Sequence, residues 1–310
     1  MPGAASGLPV RRAGCQTGRV THVPDLRTRF GAARLERDVV RVSGPDAAAY
    51  LQGQASQDVA GLAVGAATWS FVLQPTGKVE AWVRVTRPHD DEFVLDTDVG
   101  AGEALAARLR RFLLRTKADI DATTWPVIAL RGPGAEAYVA SAGAVPAGWP
   151  GSEGADLLGP GVAVPDGVDE VSPEAYESLR IRSGVPAMGR ELTEKTIPAE
   201  AGQWVIDASV SFTKGCFTGQ ELVARIDSRG GNVPRHLRAL VAAEGGLEVG
   251  ATLIADDEEI GTVTSVAPHP AGGDVGLAYL GRAVAPPADL EVRRAGGSIA
   301  VTALAAPLAD

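Results

Sequence analysis

Apolar residues recur with strand-like spacing over 38–42 (DVVRV), 68–73 (TWSFVL), 78–86 (KVEAWVRVT), 92–97 (EFVLDT) and 125–131 (WPVIALR), which predicts strands there. Gln74-Pro75-Thr76-Gly77 joins the second and third of these as a turn, with Pro at its second position and Gly at its fourth. Ser43, Pro45 and Asp46 open a helix through Ala47–Leu51. Residues 102–117 hold apolar side chains at 105, 109, 112 and 113, a helical spacing, and a short helix is expected over 135–142. Residues 143–168 are rich in Gly and Pro and show little period. They read as a surface connector with short strands around 155–158 and 161–164. Ser172-Pro173-Glu174 supplies an N-cap, a first-turn proline and a first-turn acid. A helix therefore runs from there to about Ser183, stopped by Gly184 and Pro186.

From about 237 the pattern changes to short strands over 237–242, 252–255, 260–266, 274–280, 289–293 and 298–304. Turn signals separate them at Gly245-Gly246, Asp256-Asp257, Ala271-Gly272-Gly273, Pro286-Pro287 and Gly296-Gly297. Short strands at such spacing predict a small β-barrel, 236–310, after a boundary near 236.

Composition narrows the class. The 310 residues are 45% hydrophobic, enough for buried cores, but only 5% aromatic, so those cores are mainly Val, Leu and Ala. No apolar window is long enough to suggest a membrane span. The first residues carry Arg but no apolar stretch, and Pro2 and Pro9 disfavour an amphipathic helix. Residues 1–24 therefore read as a disordered leader rather than a secretory signal. Two cysteines, Cys15 and Cys216, cannot form a disulfide framework, which suits a reduced, cytoplasmic protein. A net charge of −9 argues against a general nucleic-acid binder, and four scattered His give no zinc-ligand spacing.

The chemically suggestive stretch is 211–230, SFTKGCFTGQELVARIDSRG. Thr218-Gly219-Gln220-Glu221 fits a capping box before Leu222, Val223 and Ile226, so Thr218 is expected to cap a helix over about 219–229. Cys216 would then sit just before a helix N-terminus, with Lys214 two residues away, and both features favour thiolate. Gly215 and Gly219 would let a ligand approach the backbone. Two readings of Cys216 stand side by side: a small buried hydrophobe at a tight turn, or a functional thiol. His236 is a candidate partner by sequence proximity alone.

Lys214-Gly215-Cys216-Phe217-Thr218-Gly219-Gln220-Glu221 resembles the K-G-C-[YF]-T-G-Q-E signature of the YgfZ family, folate-binding relatives of the glycine cleavage T-protein (aminomethyltransferase). Arg182-Ser183-Gly184-Val185-Pro186 and Ile197-Pro198-Ala199-Glu200-Ala201 resemble the region preceding that signature. Gly44-Pro45-Asp46-Ala47, Tyr50-Leu51-Gln52-Gly53-Gln54 and Gln57-Asp58-Val59 resemble its N-terminal motif. Gly77-Lys78-Val79, Gly261–Ser265 and Leu277-Ala278-Tyr279 extend the likeness over about residues 25–305. The resemblance implies an α+β, three-lobed T-protein-like fold around a central opening that binds tetrahydrofolate or a derivative. A discontinuous first lobe and an inserted ferredoxin-like lobe would occupy 25–235, and the barrel would close the ring. It implies Cys216 as the functional thiol with Lys214. Gly215, Phe217, Gly219, Gln220, Glu221, Arg225, Arg182 and Glu200 would be folate-binding or motif residues. Implied partners are folate and iron–sulfur client proteins or assembly factors, with no nucleic acid and no membrane.

Two departures bear on whether this is an enzyme. Aligning the T-protein hairpin on Gly77-Lys78-Val79-Glu80 puts Ala81 and Trp82 where the T-protein has acids, and Glu80 one step away, on the opposite strand face. Arg182 stands where the T-protein pattern has a pterin-binding Glu, and Arg offers no acceptor. Both departures favour an accessory protein for iron–sulfur cluster assembly or repair over a folate-dependent aminomethyl or one-carbon transferase. Residues 101–120 and 211–240 each hold five Lys/Arg against two acids, which suits an anionic ligand such as a polyglutamylated folate tail as well as it suits a solvated basic face.

Overall fold

The computed structural model describes residues 22–294 and 297–309. Cys15 and most of the expected leader lie outside them, whereas Val23, at that segment's end, is buried in the core.

The first two-thirds of the chain build one antiparallel sheet. Its strands are β1 (Gly31–Ser43), β2 (Ala67–Leu73), β3 (Val79–His89), β4 (Glu92–Thr97), β5 (Asp119–Arg131), β6 (Val145–Pro146) and β7 (Gly154–Leu158), in the order β2-β3-β4-β1-β5-β7-β6. β1 and β5 are longer than the sequence pattern suggests because they pair along their whole length, Gly31 opposite Arg131 and Ser43 opposite Asp119. Residues 161–164 form no strand. Two helices lie between strands on one face, α1 (Ala47–Gln54) and α2 (Gly102–Arg111); a third, α3 (Ala137–Ala142), follows β5.

Strand alternation sends side chains into two cores. Val40, Val42, Val72, Val83 and Leu95 meet Leu51, Leu105 and Leu109 of α1 and α2. On the opposite face Trp69, Phe71, Leu73 and Trp82 meet α4 (Pro173–Arg182) and α5 (Gln203–Ser209), through Leu179 and Val205. The sheet curls, so its ends approach: Trp69 Nε1 donates to the Ala147 carbonyl at 3.0 Å and Arg84 Nη1 to that of Pro146 at 3.2 Å.

α2 stops at Arg111 instead of running to 117. The chain must turn so that the Lys117 carbonyl can accept from the Asp46 amide and the Lys117 amide can donate to Asp46 Oδ2. Arg115 takes a left-handed φ of 57° in that turn.

After α6 (Gln220–Asp227) the chain forms a closed barrel. Its strands are β8 (Arg235–Ala242), β9 (Thr252–Ala255), β10 (Glu258–Pro268), β11 (Asp274–Gly281), β12 (Ala288–Arg294) and β13 (Gly297–Ala305), in the order β10-β11-β8-β13-β12-β9. Leu240, Leu253, Val263, Leu280, Val292 and Val301 fill its interior. Leu237, Val275, Leu277 and Tyr279 face outward and pack on Ile181 of α4 and Leu308. Burial on both faces explains the nearly unbroken apolar run of β11. The architecture is α+β, with a cavity where sheet, α4 and barrel meet.

Candidate functional site

Ser172 Oγ accepts the Ala175 amide at 3.3 Å and Pro173 occupies the first turn, so α4 starts as the sequence predicts. That register turns Tyr176, Glu177 and Arg180 toward a cavity of about 440 Å³. The wall is aromatic: Trp69 of β2, Trp82 of β3, Trp149 before β7 and Tyr176. Trp69 and Trp82 stack with centroids 4.1 Å apart and planes at 16°; Trp149 and Tyr176 tilt at 53° with centroids 5.3 Å apart. Trp82 Nε1 is bound outside the cavity, donating to Ser209 Oγ at 2.9 Å, which fixes the ring that Trp69 stacks on. Val266, Ala267 and Pro268 of β10 close the barrel side.

The charged lining is held in place. Glu177 accepts Arg180 Nε at 2.9 Å and Nη2 at 2.7 Å, and also Arg190. Burial opposes the charge on Glu177, but Arg180 and Arg190 outweigh it and keep the carboxyl below its ordinary range. Asp98 accepts Arg37 and, at 2.8 Å, the Met188 amide. Arg180 also reaches Ser265 Oγ at 2.6 Å, which ties α4 to the barrel. Ring faces, ionised acceptors and a volume inside the range of about 300–1,000 Å³ typical of ligand sites suit a flat, partly polar heteroaromatic molecule. Among the described residues no cluster of three His, Cys, Asp or Glu could hold a metal ion, and no helix is long and apolar enough to cross a membrane.

Neither Cys216 and Lys214 nor the expected folate-binding or motif residues line this cavity, although Val185 and Pro186, beside Arg182, do, as does Trp82. Those of the signature form a loop elsewhere, against the β2–β3 turn and the end of α1. Lys214 spends its three Nζ donors on backbone, giving them to the carbonyls of Gln52 and Ala55 at 2.6 Å and Gln57 at 3.0 Å, over the Phe217 ring. Burial pushes this ammonium down to about 8, against an upward pull from Asp58. Cys216 is exposed, which excludes the buried-hydrophobe reading, and His236 on β8 makes no hydrogen bond to it. Gly215 has open space around it, with no other part of the chain against it.

Thr218 does not cap α6. The cap is Gly219 with φ +82°, because the chain passes so close to the β2–β3 turn that a Cβ would lie 2.5 Å from the Gln74 carbonyl. The Thr218 amide is instead spent on Gly53, while Gln220 reaches back to the Phe217 amide at 3.1 Å. Glu221 and Arg225 are exposed on α6.

Arg182 turns away from the cavity and pairs with Asp25 at 2.7 Å. Glu200 accepts the Ile197 amide at 3.1 Å and pairs with Arg235 at 3.1 Å, fastening the barrel's first strand. Glu80 sits at a β-bulge, where Leu73 pairs with Val79 and Val72 with Ala81. The bulge breaks strict face alternation. Glu80 consequently lines a separate surface cavity with Met188 and Thr193.

The sequence reading missed Trp69, Trp82, Trp149, Tyr176 and Glu177. One available signal was that three of the chain's five tryptophans fall in this region of the fold.

The same fold occurs in the glycine cleavage system aminomethyltransferase T from Bartonella henselae. The TM-score is 0.73 at 23% identity, covering 91% of this chain and 87% of that one. The molecule is therefore of the T-protein-like class. Residues 36–145 match the GCVT N-terminal domain and residues 235–310 the glycine cleavage T-protein C-terminal barrel domain, together more than half of the chain. The chain belongs to the glycine cleavage T-protein family. Its relatives include a tRNA-modifying protein YgfZ of Edwardsiella ictaluri, 29% identical over 62% of this chain and 65% of that protein. They also include a mitochondrial iron–sulfur cluster assembly factor IBA57 homolog of Pyricularia oryzae, 31% identical over 63% of this chain and 53% of that protein. The chain thus spans less than two-thirds of the length of either relative.

Proposed function

We propose that this protein binds tetrahydrofolate or a derivative in the central cavity and acts in the cytoplasm as an accessory protein for iron–sulfur cluster assembly or repair in client enzymes. The observation that carries the folate part is the aromatic cavity with its ionised acceptors. A pterin is flat and donates hydrogen bonds from its amino-pyrimidine edge. The rings of Trp69, Trp82, Trp149 and Tyr176 offer faces, and Glu177 and Asp98 offer acceptors. Arg37 and Arg190 are placed in the same lining to take the carboxylates of a glutamyl tail. Bound tetrahydrofolate supplies nitrogens that carry a one-carbon unit. In this reading residues 25–235 hold most of the site and the barrel, 236–310, closes it.

The iron–sulfur part is supported by the IBA57 relative and by the K-G-C-F-T-G-Q-E motif. The exposed Cys216 thiol would meet a client or its cluster outside the folate cavity, with the cluster as cargo. Calorimetric titration with tetrahydrofolate tests the first part. Assays of iron–sulfur enzymes in a deletion strain test the second; undiminished activities would reject it.

A second reading, aminomethyl or one-carbon transfer to folate, is favoured by the match to both T-protein domains. It predicts methylene-tetrahydrofolate from an aminomethyl carrier. No product with any carrier would remove it.

A further inference from the structure

A buried row of alternating charges backs the aromatic wall. Arg131 Nη1 donates to Asp156 Oδ1 at 2.7 Å, and Arg84 Nη1 donates to Asp156 Oδ2 at 2.6 Å. Arg84 also holds Asp96 with Nε at 3.0 Å and Nη2 at 3.2 Å. Asp96 accepts Arg37 Nε at 3.0 Å, and Arg37 reaches Asp98 at the cavity.

Arg84 and Arg131 are 2% and 1% exposed, and neither lines the cavity. Each rests against rings that do. The Arg84 guanidinium carbon lies 5.6 Å from the Trp69 centroid, and that of Arg131 lies 4.4 Å from Trp149 and 5.4 Å from Tyr176. Asp156 bonds both arginines, although β7 and β3 are separated in the sheet by β5, β1 and β4; the curl of the sheet brings them together. Desolvating three charges is costly, and it is offset here because each guanidinium has both a carboxylate and an aromatic face.

We propose that Asp156 is a positioning residue of the cavity. By clamping Arg84 to Arg131 it sets the Trp69–Trp82 stack against the Trp149–Tyr176 pair, and so shapes the slot for a planar heteroaromatic ligand. The folate reading enters only as the name of that ligand.

The test uses Asp156→Asn, which keeps shape and removes charge, and Arg84→Lys, which keeps charge and removes the planar fork. Arg34→Ala, which breaks an exposed pair with Glu170, is the control. Cooperative unfolding identifies the folded variants, so Arg84→Lys decides if Asp156→Asn does not fold. The circular-dichroism couplet of the stacked Trp69–Trp82 indoles reports wall geometry, and tryptophan fluorescence reports tetrahydrofolate binding.

The couplet is expected to weaken in the folded variants. The Kd for tetrahydrofolate is expected to rise about tenfold, the size of one buried cation–π contact. The control should change neither. An unchanged couplet in a folded variant overturns the proposal, and so does a weakened couplet with wild-type affinity. If the wild-type protein does not bind tetrahydrofolate, the folate reading falls, and the couplet alone then decides the role of Asp156.

Discussion

The central cavity and the signature loop are built on opposite principles. The cavity is assembled from distant strands and a helix, with its tryptophans buried and Arg37, Asp98, Glu177, Arg180 and Arg190 held in ion pairs. The signature loop is nearly continuous in sequence, and its thiol is exposed. Most of its polar groups serve to fasten the loop: Lys214 caps the carbonyls around the end of α1, and Gly219 lets the chain pass the β2–β3 turn. A compact motif can therefore be largely an anchor that presents one reactive group, while the ligand cavity lies where no local motif marks it.

This contrast breaks first at Trp82. It is 3% exposed, stacked on Trp69 and bonded to Ser209. Trp82→Ala is expected to cost about 3–5 kcal/mol in urea unfolding. A loss near zero would mean that the wall is not part of the core.

Gly219→Ala comes next. It places a side chain at φ +82° and against the Gln74 carbonyl, for an expected loss of about 1–3 kcal/mol. Chemical denaturation would show it, and wild-type stability would contradict the anchoring role of this glycine.

Asp156 sharpens the comparison through pH. Burial raises the cost of its charge, but Arg131 and Arg84 outweigh this and hold the carboxyl down to about 2, from an ordinary 3.8. A depressed carboxyl stabilises the fold above its unfolded value and loses that contribution as pH falls toward the folded one. Asp156→Asn should therefore be less stable at neutral pH by on the order of 2 kcal/mol, and the gap should close between about pH 4 and pH 2. Parallel acid-unfolding curves for the two proteins would refute this.

Cys216→Ala should have the smallest effect on stability, within about 0.5 kcal/mol, as for an exposed side chain. The informative readout is biological. Loss of iron–sulfur enzyme activity with intact stability would establish a functional thiol, and full activity would reduce the loop to its anchoring role.

Local chemistry was legible in the sequence where partners are neighbours. All six barrel strands were, because antiparallel strands with turn signals between them leave a repeating trace from 237 onward. The start of α4 was legible too, since Ser172 and Pro173 act on amides within three residues. The ends of β1, β5 and α2 were not, because distant pairings set them: Ser43 with Asp119, and Lys117 with Asp46. The cap at 218–221 misled because Gly219 answers to the crowding of the β2–β3 turn rather than to its own helix.

By itself, then, the sequence determined the α+β class, the barrel, the register of α4 and the family resemblance carried by the signature. The barrel and α4 depend on periodicity and on contacts a few residues long, whereas the α+β class came with the resemblance that the signature carries. Only the tertiary structure decided that Arg182 faces Asp25 instead of the cavity, that Lys214 caps the end of α1, and that a bulge moves Glu80 to another surface. It also decided that Trp69, Trp82, Trp149 and Tyr176 converge on one opening. In a strand or a helix an aromatic residue reads as ordinary core, and only the curl of the sheet and the docking of the barrel on α4 turn that core into a wall.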